Sequence, residues 1–454
     1  MKFPNWLPVF LTSLLPFGCV AAEPPGNAWP AGSPMVEPIY FQYAVYYLPQ
    51  PAKDPREVLR HQVASIGKNL KAVDQLPKVP SEAYVRATLE KDVQKNYRPT
   101  DMNSLQYFGR GLSKEQAQAL QTSAQALILD FVHPKKRVWE ALANANKLVE
   151  QIARKTGGLI WDEETREVFT PDEWRTRRVA SLGSGVPDVT KQIVIHAYRD
   201  KDLVRAITLG MGKFGLPDVV MNNFSWSLNR QIGHVINLFC QTMAEGASVH
   251  KAGEFDLDLK AVRHPNVREP QVQTLKVNAT AVAKLSLTKG IRENGDPNNR
   301  IVELGADRYP GPDIHAKQDK MVSSLFGWED SIVKVKHTAA LKEASERARS
   351  KLPTLKAAFS AGLRPGEFIQ VKTPFSTPAG GTEWMWVEVT KWNGNAIEGL
   401  LKNEPFNIPT LHGGQIVTVK ENEVFDYIRR FPDGKQEGNE TGMIIEEMQK
   451  QQKK

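Results

Sequence analysis

The spacing of apolar residues changes repeatedly along this chain, and that constrains its fold more than any single motif. Trp139, Leu142, Ala145, Leu148 and Ile152 recur every three or four positions. This predicts an amphipathic helix over 135–155, stopped by Gly157-Gly158. Leu275, Val277, Ala279, Ala281, Ala283, Leu285 and Leu287 instead fall at every second position. That is the period of a strand with one buried face. Phe255, Leu257, Leu259 and Ala261 repeat the same pattern. Residues 38–48 read as a strand rich in aromatic residues (Tyr40, Phe41, Tyr43, Tyr46, Tyr47), and 124–132 as a compact apolar one. From 38 to about 246 strand and helix patterns alternate, with a strand at 190–198 and a helix expected after Asp200. The fold class is α+β, opening with a βα-repeat of ferredoxin-like type.

At 454 residues the length suits about three domains of roughly 150 residues each. The expected division is a signal peptide (1–22), a linker (23–37), an α+β domain (38–249) and a β-rich middle domain (250–336). A C-terminal domain (337–440) and a flexible tail (441–454) complete it. Hydrophobic residues make up 41%, enough for packed cores, and mean hydropathy is −0.41, too low for an integral membrane protein.

Lys2, an apolar stretch to Val20 and the small residues Val20-Ala21-Ala22 predict secretory cleavage near Ala22 and a periplasmic or secreted protein. Pro4, Pro8 and Pro16 spoil the stretch as a membrane anchor, so no transmembrane segment is expected in the mature chain. A lipoprotein route through Cys19 is the alternative. Cleavage leaves Cys240 as the only thiol, which excludes an internal disulfide. Cys240 lies in an apolar helix-like run and reads as a small buried hydrophobe.

The motifs are weighed by context. Gly210, Gly212 and Gly215 match GxGxxG, but the expected neighbours are a helix end and a turn rather than the strand–helix junction that cradles a pyrophosphate. Ser65–Lys68 and Ser331–Lys334 match SxxK, and Lys155-Thr156-Gly157 matches KTG. The SDN element that would complete a penicillin-recognising site is missing, and KTG doubles as a basic helix end followed by glycine. None of the nine histidines falls in a metal-ligand spacing, and neither metal nor cofactor is expected. Glu254, Asp256 and Asp258 read as a solvated strand face, and Asp162-Glu163-Glu164 as a turn that would need burial to act as a general acid. The net charge of +8 raises the question of nucleic acid, but no binding motif accompanies the basic residues, and export points instead to acidic polymers of the cell envelope.

The densest signal lies near the C-terminus. A helix is expected over 337–359, with Pro353 breaking its regularity. Strands at 367–372, 383–392, 396–401 and 415–419 follow, linked by turns at Asn393-Gly394 and Gly413-Gly414, and suggest a small SH3-like β-barrel. Phe368–Lys372, Glu383-Trp384-Met385-Trp386-Val387-Glu388, Gly399, Asn403-Glu404-Pro405 and Asp426-Tyr427 together resemble the YegJ-like bacterial domain of unknown function, over about 338–440. Tyr427 departs from that pattern, where Trp is expected. The resemblance implies architecture and no activity; the segments around Gly157–Asp162 and Asn299–Glu303 resemble upstream parts of larger relatives.

Strict alternation puts Trp384, Trp386, Glu388 and Trp392 on one strand face. With Glu383 and Asn403 they form the candidate binding site, an aromatic platform for peptide or sugar. The alternative is that these tryptophans are core. The function expected is non-catalytic binding in the bacterial cell envelope, with an unknown protein or an envelope polymer as partner. An envelope enzyme whose site is built from distant residues, and an immunity or inhibitor protein, are the alternatives.

Overall fold

The aromatic strand lies inside the first sheet. In the computed structural model, which describes residues 27–48, 50–66, 69–183, 185–327 and 338–452, β1 (Ile39–Tyr47) is buried along most of its length. Helix α1 (Pro55–Ile66) follows, then β2 (Leu70–Ala72) and β3 (Ala83–Glu90). The short helices α2 (Val93–Asn96), α3 (Met102–Phe108) and α4 (Lys114–Leu120), with β4 (Gly109–Arg110) between the last two, lead to β5 (Ala126–His133). The amphipathic helix α5 (Val138–Thr156), the hairpin β6 (Gly158–Asp162) and β7 (Glu167–Phe169), and α6 (Pro171–Trp174) complete the unit. The sheet order is β2-β3-β5-β1-β6-β7-β4. The inner pairs β3/β5, β5/β1 and β1/β6 are antiparallel. Helix α5 buries Leu142, Ala145, Leu148 and Ile152 in the main core. On the opposite face Leu105 and Leu120, from the short helices, pack with Ala44, Tyr46, Leu159 and Trp161. Both faces of β1 are therefore shielded, which explains its continuous apolar run.

The second sheet corrects two expectations. No helix follows Asp200: β8 (Val194–Asp200) turns back through Lys201, at φ 53°, into β9 (Leu203–Leu209). The β-branched run of β9 pairs with β10 (Asp218–Phe224), and helix α7 (Asn229–Ala244) crosses to β11 (Glu254–Asp258). Helix α8 (Pro265–Val272), β12 (Val282–Lys289), β13 (Ile301–Gly305) and α9 (Ile314–Phe326) follow. The order β11-β12-β13-β10-β9-β8 places β13 parallel to β10. A boundary at residue 250 would cut through this one sheet, so 250–336 is not a domain of its own. The alternation from Leu275 yields a strand only from Val282, because Ala281 adopts φ 57° and breaks the extended path. One continuous apolar core joins both sheets, from Tyr43 and Phe131 to Leu285 and Phe326.

Within 23–37, residues 27–37 lie in the described part, and they are not a free tether. Trp29 is 7% exposed and belongs to the main core. Its amide donates to the Leu287 carbonyl at 3.0 Å, Gly32 and Val249 exchange amide hydrogen bonds, and Arg300 donates to the Pro34 carbonyl at 2.9 Å. The expected signal segment (1–22, with Cys19), Lys68, Ser331–Lys334 and His337 lie outside the described residues.

The C-terminal part has a core of its own. Helix α10 (Ala339–Ala361) runs unbroken past Pro353 with Thr338 as its cap. It lays Ala348, Leu352 and Leu355 on a sheet of β14 (Phe368–Ser376), β15 (Thr382–Asn393), β16 (Ala396–Leu401), β17 (Ile416–Lys420), β18 (Asp426–Arg430) and β19 (Gln436–Gly438). The order β17-β16-β15-β14-β18-β19 leaves two edges, so this is an open sheet and not the expected barrel. The helix covers the apolar face that a barrel would bury by closing on itself. The expected flexible tail is instead α11 (Glu440–Gln452). Thr441 there donates to Asp426 through its amide (2.9 Å) and hydroxyl (2.6 Å), and Arg347 of α10 pairs with Glu440 at 2.7 Å.

Candidate functional site

The six residues picked from the sequence do not form one site. Alternation holds along β15 as far as Val389, with Met385, Val387 and Val389 buried in the C-terminal core. Between Val389 and Lys391 the pairing with β16 slips by one residue, a β-bulge. Trp392 is thereby turned to the core face, 6% exposed, where its Nε1 donates to Glu421 at 2.8 Å. Sequence alternation placed it with Trp384 and Trp386; the bulge removes it.

Asn403 ends the β15/β16 ladder: its Oδ1 accepts from the Trp386 amide at 2.7 Å. Glu383 ties the following loop, accepting from the amides of Phe406 and Asn407 at 3.0 Å each. Glu388 is 4% exposed and accepts from the Ser227 amide at 3.2 Å, just ahead of α7, where the positive end of the helix dipole favours a carboxylate.

Trp384 and Trp386 remain as a half-buried pair on the outer face of the open sheet. The Trp384 ring lies 4.5 Å from that of Phe425, centre to centre, and Pro374 sits opposite it on β14. The Lys372 ammonium, on the strand position paired with Trp386, lies 5.6 Å from the centre of that ring. Burial lowers the pKa of Lys372, while the Asp426 charge opposes that shift. The arrangement offers flat apolar surface with one cation beside it, suited to stacking and weak anion contact.

A second constellation was not legible as a site. Asp162, at the end of β6, is fully buried and accepts from Lys213 at 2.7 Å and Arg178 at 3.3 Å. Arg178 also pairs with Glu167, whose other oxygen accepts from Arg110 at 2.7 Å. Lys213 belongs to the GxGxxG match. That segment is no helix end: Gly210 (φ 111°) and Gly215 (φ 70°) bracket a single 3-10 turn between β9 and β10. The turn drives a fully buried lysine into the first sheet. Burial lowers the pKa of Lys213 against the attraction of Asp162. For Asp162 burial acts upward, but Lys213 and Arg178 hold it below the ordinary carboxylate value. Glu164, at the rim near Gly212 and Asn299, is pushed up to about 8 by burial and then by the Asp162 charge. Asp218 is raised to about 6 by burial, against hydrogen bonds from Asn299 (2.8 Å) and Thr208 (2.8 Å). The network joins residues far apart in sequence and locks the two sheets together. Opposite charges there satisfy one another, the condition under which buried ions are tolerated.

The remaining motifs read as structure. Lys155-Thr156-Gly157 ends α5: the Thr156 hydroxyl donates to Ile152 at 2.7 Å, and Gly157 adopts φ 81° as the left-handed cap. Cys240 is buried, which raises its thiol pKa well above the ordinary value. Among the described residues no cluster of three or more His, Cys, Asp or Glu side chains is placed to hold a metal ion, and no helix is long and apolar enough to cross a membrane.

Against known protein families, residues 338–454 fit the model described as "Uncharacterized protein conserved in bacteria (DUF2314)". The match covers the C-terminal sheet and both helices packed with it. No curated protein and no solved structure matches the chain.

Proposed function

We propose that this chain is an exported, non-catalytic binding protein of the bacterial cell envelope, and that its C-terminal domain holds its ligand on the Trp384–Trp386 face. The observation that carries the reading is that these two large apolar rings stay partly open to solvent on an unclosed sheet, with Lys372 beside one and Phe425 against the other. Burying them is worth roughly 25 cal/mol per Å² of apolar surface, a reason for such rings to be exposed only where something covers them. Stacking surface plus a cation favours an anionic envelope polymer over an unidentified protein partner. The family match supports a bacterial source, and the signal-like residues 1–22 support the envelope setting. The same reading takes the C-terminal domain as YegJ-like, in a larger exported relative, and the unit ahead of it as ferredoxin-like. The antiparallel order β3-β5-β1-β6, with helices α1 and α5 in the intervening connections, supports the last point.

The test is retention of the protein by purified cell-wall sacculi. Wild-type protein is expected to be retained and Trp384→Ala/Trp386→Ala released, with the variant still folded by circular dichroism at the temperature of the assay. Equal retention of the double variant sinks the reading. Capture of a single protein from the envelope fraction with no polymer retention favours an inhibitor instead. A second reading, an envelope enzyme, draws on the convergence of Asp162, Glu164, Lys213, Asp218 and Asn299. It predicts turnover of sacculi that Glu164→Gln abolishes.

A further inference from the structure

The outer face of the C-terminal sheet changes character within one strand. Trp384, Trp386 and Glu388 alternate along the same side of β15, yet the tryptophans are half-exposed and Glu388 is 4% exposed. What covers Glu388 is the second α/β unit, the sheet β8–β13 with helices α7 to α9. Ser227 donates its amide to Glu388 at 3.2 Å, and Arg199 faces the same carboxylate. Leu400, on the neighbouring strand, is 1% exposed and borders the same contact with Leu228. Lys402 donates to Asp319 and to the Ser225 hydroxyl, at 3.3 and 3.2 Å. Lys391 pairs with Asp202 at 3.0 Å, and His412 lies 3.4 Å from Asp313.

This junction is polar. The C-terminal core is separate from the main core, and Phe368 is the partly buried hydrophobe of that domain that packs against the latter. Ser225, His315, Gln318, Asp319, Lys402 and Gly414 line the junction. Gln318 is 3% exposed, and its Oε1, like His315 Nδ1, finds no partner among the described residues. Buried polar atoms left unsatisfied raise the free energy of the closed form, and water in an open junction would satisfy them. Small polar contacts between domains permit relative motion by default.

We propose that the second α/β unit is a removable cover over half of the tryptophan-bearing face, held by the Lys402–Asp319, Glu388–Ser227 and Lys391–Asp202 contacts. Closed, the face ends at Trp386. Open, it extends across Glu388 and Leu400, adding an acidic and an apolar position to the platform. The inference rests on the platform reading only for the purpose of opening; the opening itself is measured without any ligand.

The experiment uses the full chain, with carbodiimide labelling of Glu388 read by mass spectrometry and the radius of gyration read by small-angle X-ray scattering. Asp319→Lys sets two cations against each other and is expected to raise Glu388 labelling several-fold and enlarge the particle. The swap Asp319→Lys/Lys402→Asp is expected to return both to wild-type values. Should Asp319→Lys misfold by circular dichroism, wild-type protein in 1 M salt, where the screening length falls to about 3 Å, takes its place and is expected to show the same rise. Unchanged labelling and size in the folded variant, or in high salt, overturn the cover. Sacculi retention is scored separately: a working cover with no retention of any form refutes the platform and leaves the cover standing.

Discussion

Two tryptophans eight residues apart carry opposite roles, and single substitutions separate them. Trp392 is core and hydrogen-bonded to Glu421, so Trp392→Ala is expected to cost about 3–5 kcal/mol in denaturant unfolding of the C-terminal domain. Trp384→Ala, at a half-buried outer position, is expected to cost roughly 1 kcal/mol. Titratable residues shape the pH response from both sides. Glu164 is raised to about 8 from 4.5, so the stability it contributes is full below pH 4.5 and drains away as pH rises through 8. His133, its ring buried and donating from Nδ1 to the Pro134 carbonyl, is lowered to about 4 from 6.5. Its contribution is full above 6.5 and is lost as pH falls toward 4. A tenfold change in a protonation equilibrium is worth about 1.4 kcal/mol, so both limbs span a few kcal/mol at most. Between pH 4.5 and 6.5 the two slopes oppose, so melting temperatures should change little there and fall between about pH 6.5 and 8, a fall that Glu164→Gln removes; His133→Asn should leave the Glu164 fall running from 4.5 to 8. An unchanged fall between pH 6.5 and 8 in Glu164→Gln would remove Glu164 as its source.

At the scale of elements, local periodicity was a good guide and long-range register was not. The 3.6-residue pattern over 135–155 became α5, and the C-terminal strands formed close to where alternation put them. The bulge in β15 has no periodic signature. Beside it Gly399 lies across the ladder, where an added Cβ would sit 2.1 Å from the Glu388 carbonyl oxygen. The strands approach there more closely than any side chain allows. Gly399→Ala is therefore expected to destabilise the C-terminal domain by about 1–3 kcal/mol, checked by its denaturation midpoint. The shared face of Trp384 and Trp386 was legible because both precede the bulge; Trp392 was misplaced because it follows. The Asp162–Lys213 network was illegible for another reason. Its members come from two sheets, and a glycine-bracketed lysine reads as surface until tertiary structure shows what it is driven into.

Among the described residues the two largest apolar cores are separate, one spanning both N-terminal sheets and one confined to the C-terminal domain. Calorimetry is expected to resolve two transitions. Lys213→Met, which strips a cation from fully buried Asp162, should lower only one of them, by about 3–5 kcal/mol, and Trp392→Ala only the other. A single merged transition shifted equally by both variants would show the cores to be coupled. The strap at 27–37 has a consequence for how the larger core is made. Trp29 is synthesised long before Leu287, yet its amide bonds to the carbonyl of that residue, and Pro34 is held by Arg300. At roughly 5–20 residues per second, Trp29 waits on the order of 10–50 s for its site to exist. During that interval an indole and its flanking prolines are exposed on an incomplete chain. The larger core therefore cannot be completed through this early-made segment until residue 300 has emerged.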